Sequence, residues 1–264
     1  MKQANQNRHL PHFVLLDEMN LARVEYYFSD LLSLMETKRW DDNGRIISDP
    51  VIEREETGKL TLPDNVYFVG TVNMDETTHP FSKKVLDRAN TIEYNEVVLN
   101  HFDFLAKEHS EQVEPNSIRN KQLAARFLTL KDAYPGNEEM IHKTTEKLME
   151  INRYLEPIQA QFAYRVRDEI CFYMIYNEQA GLLDRDTAFD YQLLQKILPR
   201  IAGNDVLTEK VLQDLFQFCT AHYWEDNRDL EHVLAEARYP KSAKKIAHMI
   251  RKNQVEGFTS FWNQ

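Results

Sequence analysis

Cysteine, glycine and long apolar runs are all scarce in this chain. Its 264 residues include two cysteines, seven glycines and nine prolines, which excludes a disulfide-rich scaffold and a low-complexity segment. Cys171 and Cys219 lie in apolar helical patterns without a CxxC motif, and we expect buried thiols in a reducing cytoplasm. No apolar stretch approaches the roughly 20 residues that span a bilayer. The polar start "MKQANQNRH" lacks the apolar core of a signal peptide, so we expect a cytoplasmic protein without a membrane partner.

Positive charge is also in deficit. The net charge is −10 and the sequence pI is about 5.4, which argues against a generally basic surface for nucleic acid. One helical segment near the C-terminus is basic and contains no acid between its first and last cations. It is either a solvated helix face or a nucleic-acid contact, and its cations are Lys241, Lys244, Lys245, Arg251 and Lys252.

The first 95 residues have the alternating pattern of an α/β domain. We predict strands at "FVLL" (13–16), "VYFVGTV" (66–72) and "TIEY" (91–94); the first two are apolar on both faces, as in a covered parallel sheet. Helical spacing predicts a helix in "ARVEYYFSDLLSLMET" and a short one in "FSKKVLDRA". Asn43-Gly44 and Thr57-Gly58 are turn signals for a projecting hairpin.

From residue 96 to residue 264 the apolar residues recur at helical spacing. We therefore predict an all-α domain after the α/β domain, and its aromatic stripes are typical of a helical core. The clearest segments are "TEKLMEINRYLEPI", "YRVRDEICFYMIYNEQA", "DYQLLQKILPRIA", "TEKVLQDLFQFCTAHYWED" and "SAKKIAHMIRKNQ".

Two carboxylates stand immediately after the first predicted strand. Asp17 and Glu18 end "HFVLLDE", and Asn73 follows the second strand in "GTVNMDE". Open α/β sheets bind ligands at the carboxyl ends of their strands. An acid there can hold Mg²⁺, a second acid can orient or activate an attacking water, and an amide can position that water. Positioning and charge stabilisation are most of what phosphoryl transfer requires.

Simpler roles are open for the same residues. Asp17 could cap the following helix, and Asn73 could close a turn. The position of Asn73 at the same end of a second strand favours a shared site over two independent structural roles.

The segments "FVLLDEMNLARVEYYFSDLLSLME" and "VYFVGTVNMDETTHPFSKKVLDRANTIEY" together resemble the second half of an AAA+ module. The similarity is greatest to the McrB-like branch, which includes the GTP-dependent motor of methylation-dependent restriction; MoxR-type ATPases are further relatives. It continues through "FAYRVRDEI", "KILPRIAG" and "RYPKSAKKIAHMIRKNQVEGFTSFW". The resemblance implies the second half of an AAA+ parallel-sheet core in residues 1–95, without its P-loop strand, and a large helical lid in residues 96–264.

The resemblance implies a role for each of five residues. Asp17 is similar to the Walker B acid at the metal site, Glu18 to the catalytic glutamate and Asn73 to sensor 1. Arg88, in "VLDRAN", resembles the arginine finger that acts in trans on a neighbouring subunit's nucleotide. Arg165 resembles sensor 2, which contacts the nucleotide.

Both arginines have alternatives. Arg88 could be an ordinary surface arginine beside an aspartate. Arg165 could pair with Asp168 or Glu169 along its own helix, and Arg167 is a rival for the sensor 2 role.

The P-loop, which binds the phosphates in this family, is missing from the 264-residue sequence. No GxxxxGK[ST] motif occurs, and only "MKQANQNRHLP" precedes the Walker B strand. We therefore expect no autonomous activity, with Mg²⁺ and ATP or GTP bound only in a complete module that has a P-loop. The resemblance implies self-association into a ring, and a nuclease subunit and DNA bound through regions outside this chain. The alternative, from another class, is a non-catalytic interaction or scaffold subunit.

Overall fold

The fold is mixed α/β with a small parallel sheet. The computed structural model describes residues 1–54, 58–74, 78–94, 99–100, 102, 116–225 and 229–262. Its residues form two compact units, which we call the sheet unit (Met1–Asp17, Ser33–Thr71 and Ile92–Arg126) and the helical unit (Glu18–Leu32, Val72–Thr91 and Phe127–Gln264). The chain passes between the units several times, and the boundary at residue 95 stays a prediction.

A parallel strand pair forms the centre of the sheet unit. Strand β1 (His12–Leu16) pairs with β6 (Val66–Gly70) in the register His12 to Val66 and Leu16 to Gly70. The Thr71 N–H donates to the Leu16 carbonyl at 3.0 Å and extends the ladder past the end of β6. The parallel pairing of the first two predicted strands is confirmed, and their carboxyl ends lie at one edge.

Two predictions about this sheet are wrong. Residues 91–94 form no strand; the Thr91 N–H donates instead to the Gln195 carbonyl at 3.2 Å, within the helical unit. The sheet is also not covered on both faces by the described part of the chain, since Phe13 is 63%, Leu15 64% and Val69 48% exposed. Apolar strand composition identified the strands, but it carried no information about what lies over them.

Two short hairpins lie between β1 and β6. The Asn43-Gly44 turn is confirmed: Gly44 has a positive φ of 68°, and Asp41 Oδ1 accepts from the Asn43 and Arg45 N–H groups at 2.9 and 2.7 Å. Thr57 lies outside the described residues. The strands are β2 (Arg39–Trp40) with β3 (Ile46–Ile47), and β4 (Pro50–Arg54) with β5 (Gly58–Thr61), both antiparallel.

The predicted helices are confirmed, with sharper bounds. The helix after β1 is broken into α2 and α3, and the third long segment continues from α9 into a π-helix and a 3₁₀-helix. Within the described ranges the α-helices are α1 (Lys2–Gln6), α2 (Val24–Tyr27), α3 (Ser29–Glu36), α4 (Lys83–Leu86), α5 (Asn120–Leu123), α6 (Leu130–Ala133), α7 (Glu138–Leu155), α8 (Tyr164–Ala180), α9 (Arg185–Gln192), α10 (Val206–Thr220), α11 (Leu230–Ala235) and α12 (Pro240–Glu256). Strands β7 (Ala202–Gly203) and β8 (Thr259–Ser260) pair beside α12.

The main core lies in the helical unit. Helix α7 buries Leu148, Ile151 and Leu155, which recur along one face at helical spacing. They join one continuous apolar cluster with residues of α8 to α12, and Gly181 ends α8 in the left-handed conformation that glycine accepts without strain. No helix in the described ranges has both the length and the apolar character needed to cross a membrane.

The thiols of the helical unit are expected to resist alkylation in the native state. Cys171 and Cys219 are free and buried, as predicted. Burial raises the pKa of Cys171 from 9.0 to about 11 and raises the pKa of Cys219 as well. Because the thiolate is the nucleophile, the smaller ionised fraction alone slows the reaction of Cys171 about a hundredfold at pH 8.

Iodoacetamide labelling followed by mass spectrometry measures this directly. Both thiols should be labelled rapidly in 6 to 8 M urea, which serves as the control. Labelling of either native thiol at the rate of free cysteine would contradict the buried placement.

Candidate functional site

Asp17 lies at the carboxyl end of β1, beside the residue that follows β6. The Thr71 hydroxyl donates to Asp17 Oδ1, and both side chains are exposed at this edge of the sheet. The helix that follows, α2, has Arg23 at its N-cap, so the alternative of Asp17 as the cap of that helix is wrong. Thr71 was not predicted, although a hydroxyl residue directly after an apolar strand is the signal that could have identified it.

Glu18 has a backbone conformation that is uncommon for its residue type. Its φ is 47°, in the left-handed region, where a residue with a β-carbon is strained by about 1–3 kcal/mol. Such strain persists where the surroundings hold it and is frequent at functional sites. The side chain is exposed, so water and ligands can reach the carboxylate.

Asn20 ties the segment after β1 to the segment after β6. Its side chain is completely buried, and its Nδ2 donates to the Asn73 carbonyl at 2.9 Å and approaches the Met74 sulfur at 3.3 Å. The main-chain carbonyl of Asn20 accepts a hydrogen bond from the His79 N–H at 3.0 Å. Asn20 was also missed by the sequence argument, because a polar residue three positions after Asp17 gives no sign that it will be buried.

Asn73 therefore has its main chain held by Asn20 while its side chain is exposed. Residues 75–77 lie outside the described ranges, so the turn-closing alternative for Asn73 stays open. Asp17 belongs to the sheet unit, whereas Glu18, Asn73, Arg88 and Arg165 belong to the helical unit.

Arg88 follows the short helix α4 by two residues. Its N–H donates to the Val85 carbonyl at 3.0 Å, and its Nη1 donates to the Lys84 carbonyl at 2.6 Å. The neighbouring Asp87 carboxylate binds the buried Arg200, so the simple picture of a surface arginine beside Asp87 is incomplete. The segment that carries Arg88 is anchored in the helical core.

Arg165 is the second residue of α8 and is partly buried. The two acids proposed as its alternative partners have other cations: Asp168 binds Arg167 at 2.6 Å, and Glu169 binds Lys196. The Arg167 guanidinium also lies 4.9 Å from the centre of the Tyr164 ring. Arg167, the alternative sensor 2 residue, therefore already contacts Asp168 and Tyr164. The sensor 2 role of Arg165 stays a prediction.

An open groove lies at the start of α8. Its volume is about 390 Å³, and Leu148, Met149, Phe162, Tyr164 and Arg167 contribute to its walls. One wall comes from α7 and the other from the segment that leads into α8. An aromatic ring and a guanidinium, from Tyr164 and Arg167, are among its lining groups, and such groups suit a flat, anionic ligand such as a nucleotide.

The acids of the site fit a magnesium ion held mostly by other ligands. Among the described residues, no three His, Cys, Asp or Glu side chains lie close enough together to hold a metal. Mg²⁺ usually binds through one or two carboxylates, with water and phosphate oxygens completing its octahedral shell. Asp17, with the Thr71 hydroxyl beside it, matches that donor set and does not match a closed protein cage.

The basic segment lies on α12, and part of it is engaged locally. Lys241 lies over the Tyr191 ring, Lys245 over the Phe261 ring, and Lys252 lies 3.7 Å from Glu256. These contacts favour the solvated-face alternative for the segment. The nucleic-acid alternative stays a prediction.

A family model described as "Domain of unknown function (DUF8727)" matches residues 112–258, more than half of the 264 residues. Arg165 lies inside the matched range, whereas Asp17, Glu18, Asn73 and Arg88 precede it. No curated protein matches the chain, and no solved structure matches it.

Proposed function

The chain belongs to the family described as a domain of unknown function (DUF8727), and we propose that it contributes the hydrolytic half of a nucleoside triphosphatase site. The site is of the AAA+ type, nearest to the McrB-like branch, with ATP or GTP as the nucleotide. Hydrolysis between the subunits of a ring drives the remodelling or translocation of a partner, for which DNA feeding a nuclease subunit is the proposed case. The phosphate-binding loop comes from residues outside these 264, which contain no GxxxxGK[ST] motif.

The observation that carries this proposal is the parallel pairing of β1 with β6. It supports a shared edge at which "DE" follows one strand and "TVN" follows the other. The hydrogen bond from Thr71 to Asp17 joins the two strand ends directly. Polar side chains on adjacent strand ends are the usual construction of a ligand site in an α/β sheet.

Asp17 is the residue that would hold Mg²⁺. The Thr71 hydroxyl orients the Asp17 carboxylate, since it donates to one of the two oxygens and leaves the other available to the ion's water shell. Bound Mg²⁺ supplies neutralisation of the negative charge on the phosphate oxygens.

Glu18 and Asn73 act on the attacking water. The Glu18 carboxylate accepts a hydrogen bond from the water and, as the phosphoryl bond breaks, accepts its proton. The Asn73 amide positions the same water by a further hydrogen bond. The strained φ of Glu18 and the clamp from Asn20 to the Asn73 carbonyl support this assignment, because each fixes the backbone of a residue that must be placed accurately.

Arg88 and Arg165 act on the phosphates. Arg88 is supplied in trans to the nucleotide of the neighbouring ring subunit, where its guanidinium stabilises developing charge. Arg165, the second residue of α8, contacts the nucleotide bound to its own subunit.

A non-catalytic interaction subunit is the second candidate function. The exposed apolar side chains of the β1–β6 pair favour it, because Phe13 and Leu15 are each more than 60% exposed. Large exposed apolar patches on soluble proteins mark surfaces that bind other proteins, membranes or ligands.

Phosphate release distinguishes the two functions. The 264-residue chain alone is expected to release no phosphate from ATP or GTP with Mg²⁺, because nothing in it holds the triphosphate. The longest in-frame product of the native locus is expected to contain a P-loop and to hydrolyse one of the two nucleotides. In that product Glu18→Gln should reduce kcat about 10²–10⁴-fold, the range for loss of a general base.

Glu146→Gln is the matched control, since Glu146 is an exposed carboxylate in the middle of α7. Turnover by the 264-residue chain that Glu18→Gln abolishes would overturn the requirement for an external P-loop. A native locus without any P-loop would favour the interaction subunit instead. A Glu18→Gln product as active as the control would overturn the assignment of Glu18 as the base.

A further inference from the structure

Two cations are buried in the helical unit just after α9. Lys196 and Arg200 each have a side chain that is only 1% exposed. They come from a π-helix (Leu193–Ile197) and a 3₁₀-helix (Leu198–Arg200) that follow one another directly. Burial lowers the pKa of Lys196, and the nearby Glu169 carboxylate opposes that change. Charged side chains that are removed from water are retained in a protein interior only where partners compensate for the lost hydration.

The partners of both cations converge on Asp87. The Arg200 guanidinium binds the Asp87 carboxylate, and Lys196 Nζ donates to the Asp87 main-chain carbonyl at 3.1 Å. Lys196 also binds Glu169 of α8. One residue is thus held through its side chain and its backbone by two cations more than 100 positions away in the chain.

A further hydrogen bond holds the chain three residues after Arg88. The Thr91 N–H donates to the Gln195 carbonyl at 3.2 Å, so the π-helix contacts the chain both before and after Arg88. The Arg200 Nε donates to the Lys196 carbonyl at 3.3 Å, which links the two cations into one unit. π-Helical insertions are frequent at functional sites. This one and the 3₁₀-helix that follows it bring one cation each to the same segment.

We propose that Lys196 and Arg200 are positioning residues for Arg88. The proposal rests on the proposed function, in which Arg88 must reach the phosphates of a neighbouring subunit. Displacement of a reacting group by about 1 Å can cost about a hundredfold in rate, and an arginine has a long, flexible side chain whose direction depends on its backbone. The grip on Asp87 fixes the backbone one residue before Arg88.

Amide hydrogen exchange of the 264-residue chain tests whether Lys196 and Arg200 hold the backbone at Asp87. This test requires no enzyme activity. Arg200→Met keeps the apolar volume and removes the ion pair to Asp87. Exchange at the amides of residues 87–91 is expected to become at least about tenfold faster, while the amides of α7 and α10 keep their protection. Arg251→Met, at an exposed position of α12, is the matched control.

Asp87→Asn is the milder second variant, because it removes the same ion pair from a side chain that is 31% exposed and leaves an amide oxygen to accept from Arg200. It decides the question if Arg200→Met fails to fold. Unchanged exchange at residues 87–91 in the folded variant would overturn the positioning role, whatever the enzyme does.

Kinetics of the complete triphosphatase test the consequence for Arg88. Arg200→Met should reduce kcat about 10–100-fold with nearly unchanged KM, and it should add nothing to the loss caused by Arg88→Ala in the double variant. A lower kcat that multiplies with the Arg88→Ala loss would mean a general structural role and would overturn the inference. Normal turnover by Arg88→Ala alone would instead mean that the proposed function of Arg88 has failed.

Discussion

Arg88→Ala should slow phosphate release by about 10³–10⁵-fold in the ring of complete subunits, the range for loss of an arginine supplied in trans. Nucleotide binding should change little, because the guanidinium acts on charge that develops only in the transition state. The structure supports a positioned residue: Arg88 follows α4, its Nη1 is 2.6 Å from the Lys84 carbonyl, and its neighbour Asp87 is anchored by Arg200. Single-turnover assays with ATP and GTP measure the rate, and Arg153→Ala, at an exposed position of α7, is the control.

Mixed rings test whether the arginine acts on a neighbour. Arg88→Ala and Glu18→Gln subunits should each be inactive alone. After subunit exchange, some interfaces combine an intact Glu18 with an intact Arg88, so part of the activity should return. Recovery that is absent in rings shown to be mixed would rule out action in trans.

Asp190→Ala is expected to cause the largest loss of stability among the polar substitutions considered. Asp190 lies on α9, is 1% exposed and accepts the N–H groups of Lys241 and Ser242 at 2.9 Å each. It therefore caps the N-terminus of α12 from another helix, and the Ser242 hydroxyl donates back to its carbonyl at 3.1 Å. Removal of the carboxylate leaves the Ser242 N–H buried without an acceptor, at about 1–3 kcal/mol, and the partly buried Lys241 N–H loses its acceptor as well.

Asp184→Ala is the matched control. Asp184 accepts two N–H groups at the start of α9, the helix that contains Asp190, but Asp184 is exposed. Water can replace its carboxylate, so its loss should cost only about 1 kcal/mol. Denaturant unfolding followed by helical circular dichroism compares the two variants. An Asp190→Ala midpoint no lower than that of Asp184→Ala would show that the buried cap contributes no more than an exposed one.

The helices were predictable because their signal is local. Apolar residues at helical spacing in α7 identify the face that the structure buries, and Gly181 marks the end of α8. The same local signal identified β1 and β6 as strands of a parallel sheet, and the structure shows that they pair with each other. It misassigned "TIEY", because β-branched and aromatic residues favour a strand only where another strand offers hydrogen bonds. The Thr91 N–H has its partner in the helical unit instead.

Part of the candidate site was also predictable. Carboxylates directly after an apolar strand are conspicuous, and Asp17 does lie at a strand end beside the end of a neighbouring strand. Thr71 and Asn20 were missed, since their residue types are common in loops and turns. Thr71 matters because it donates a hydrogen bond to Asp17, and Asn20 matters because it is completely buried. Neither property has a sequence pattern.

The sequence by itself determined where the helices and the strands β1 and β6 lie and which acids follow the first strand, because these properties depend on residues close together in the chain. Which strands pair depends on residues 54 positions apart, and the tertiary structure decided it. Only the tertiary structure decided which polar residues are buried. Lys196, Arg200 and Asp190 stand in helical segments where a charged side chain is solvated by default. Each is retained in the interior because partners more than 25 residues away offset its lost hydration. Such a partner exists only after the helices have packed.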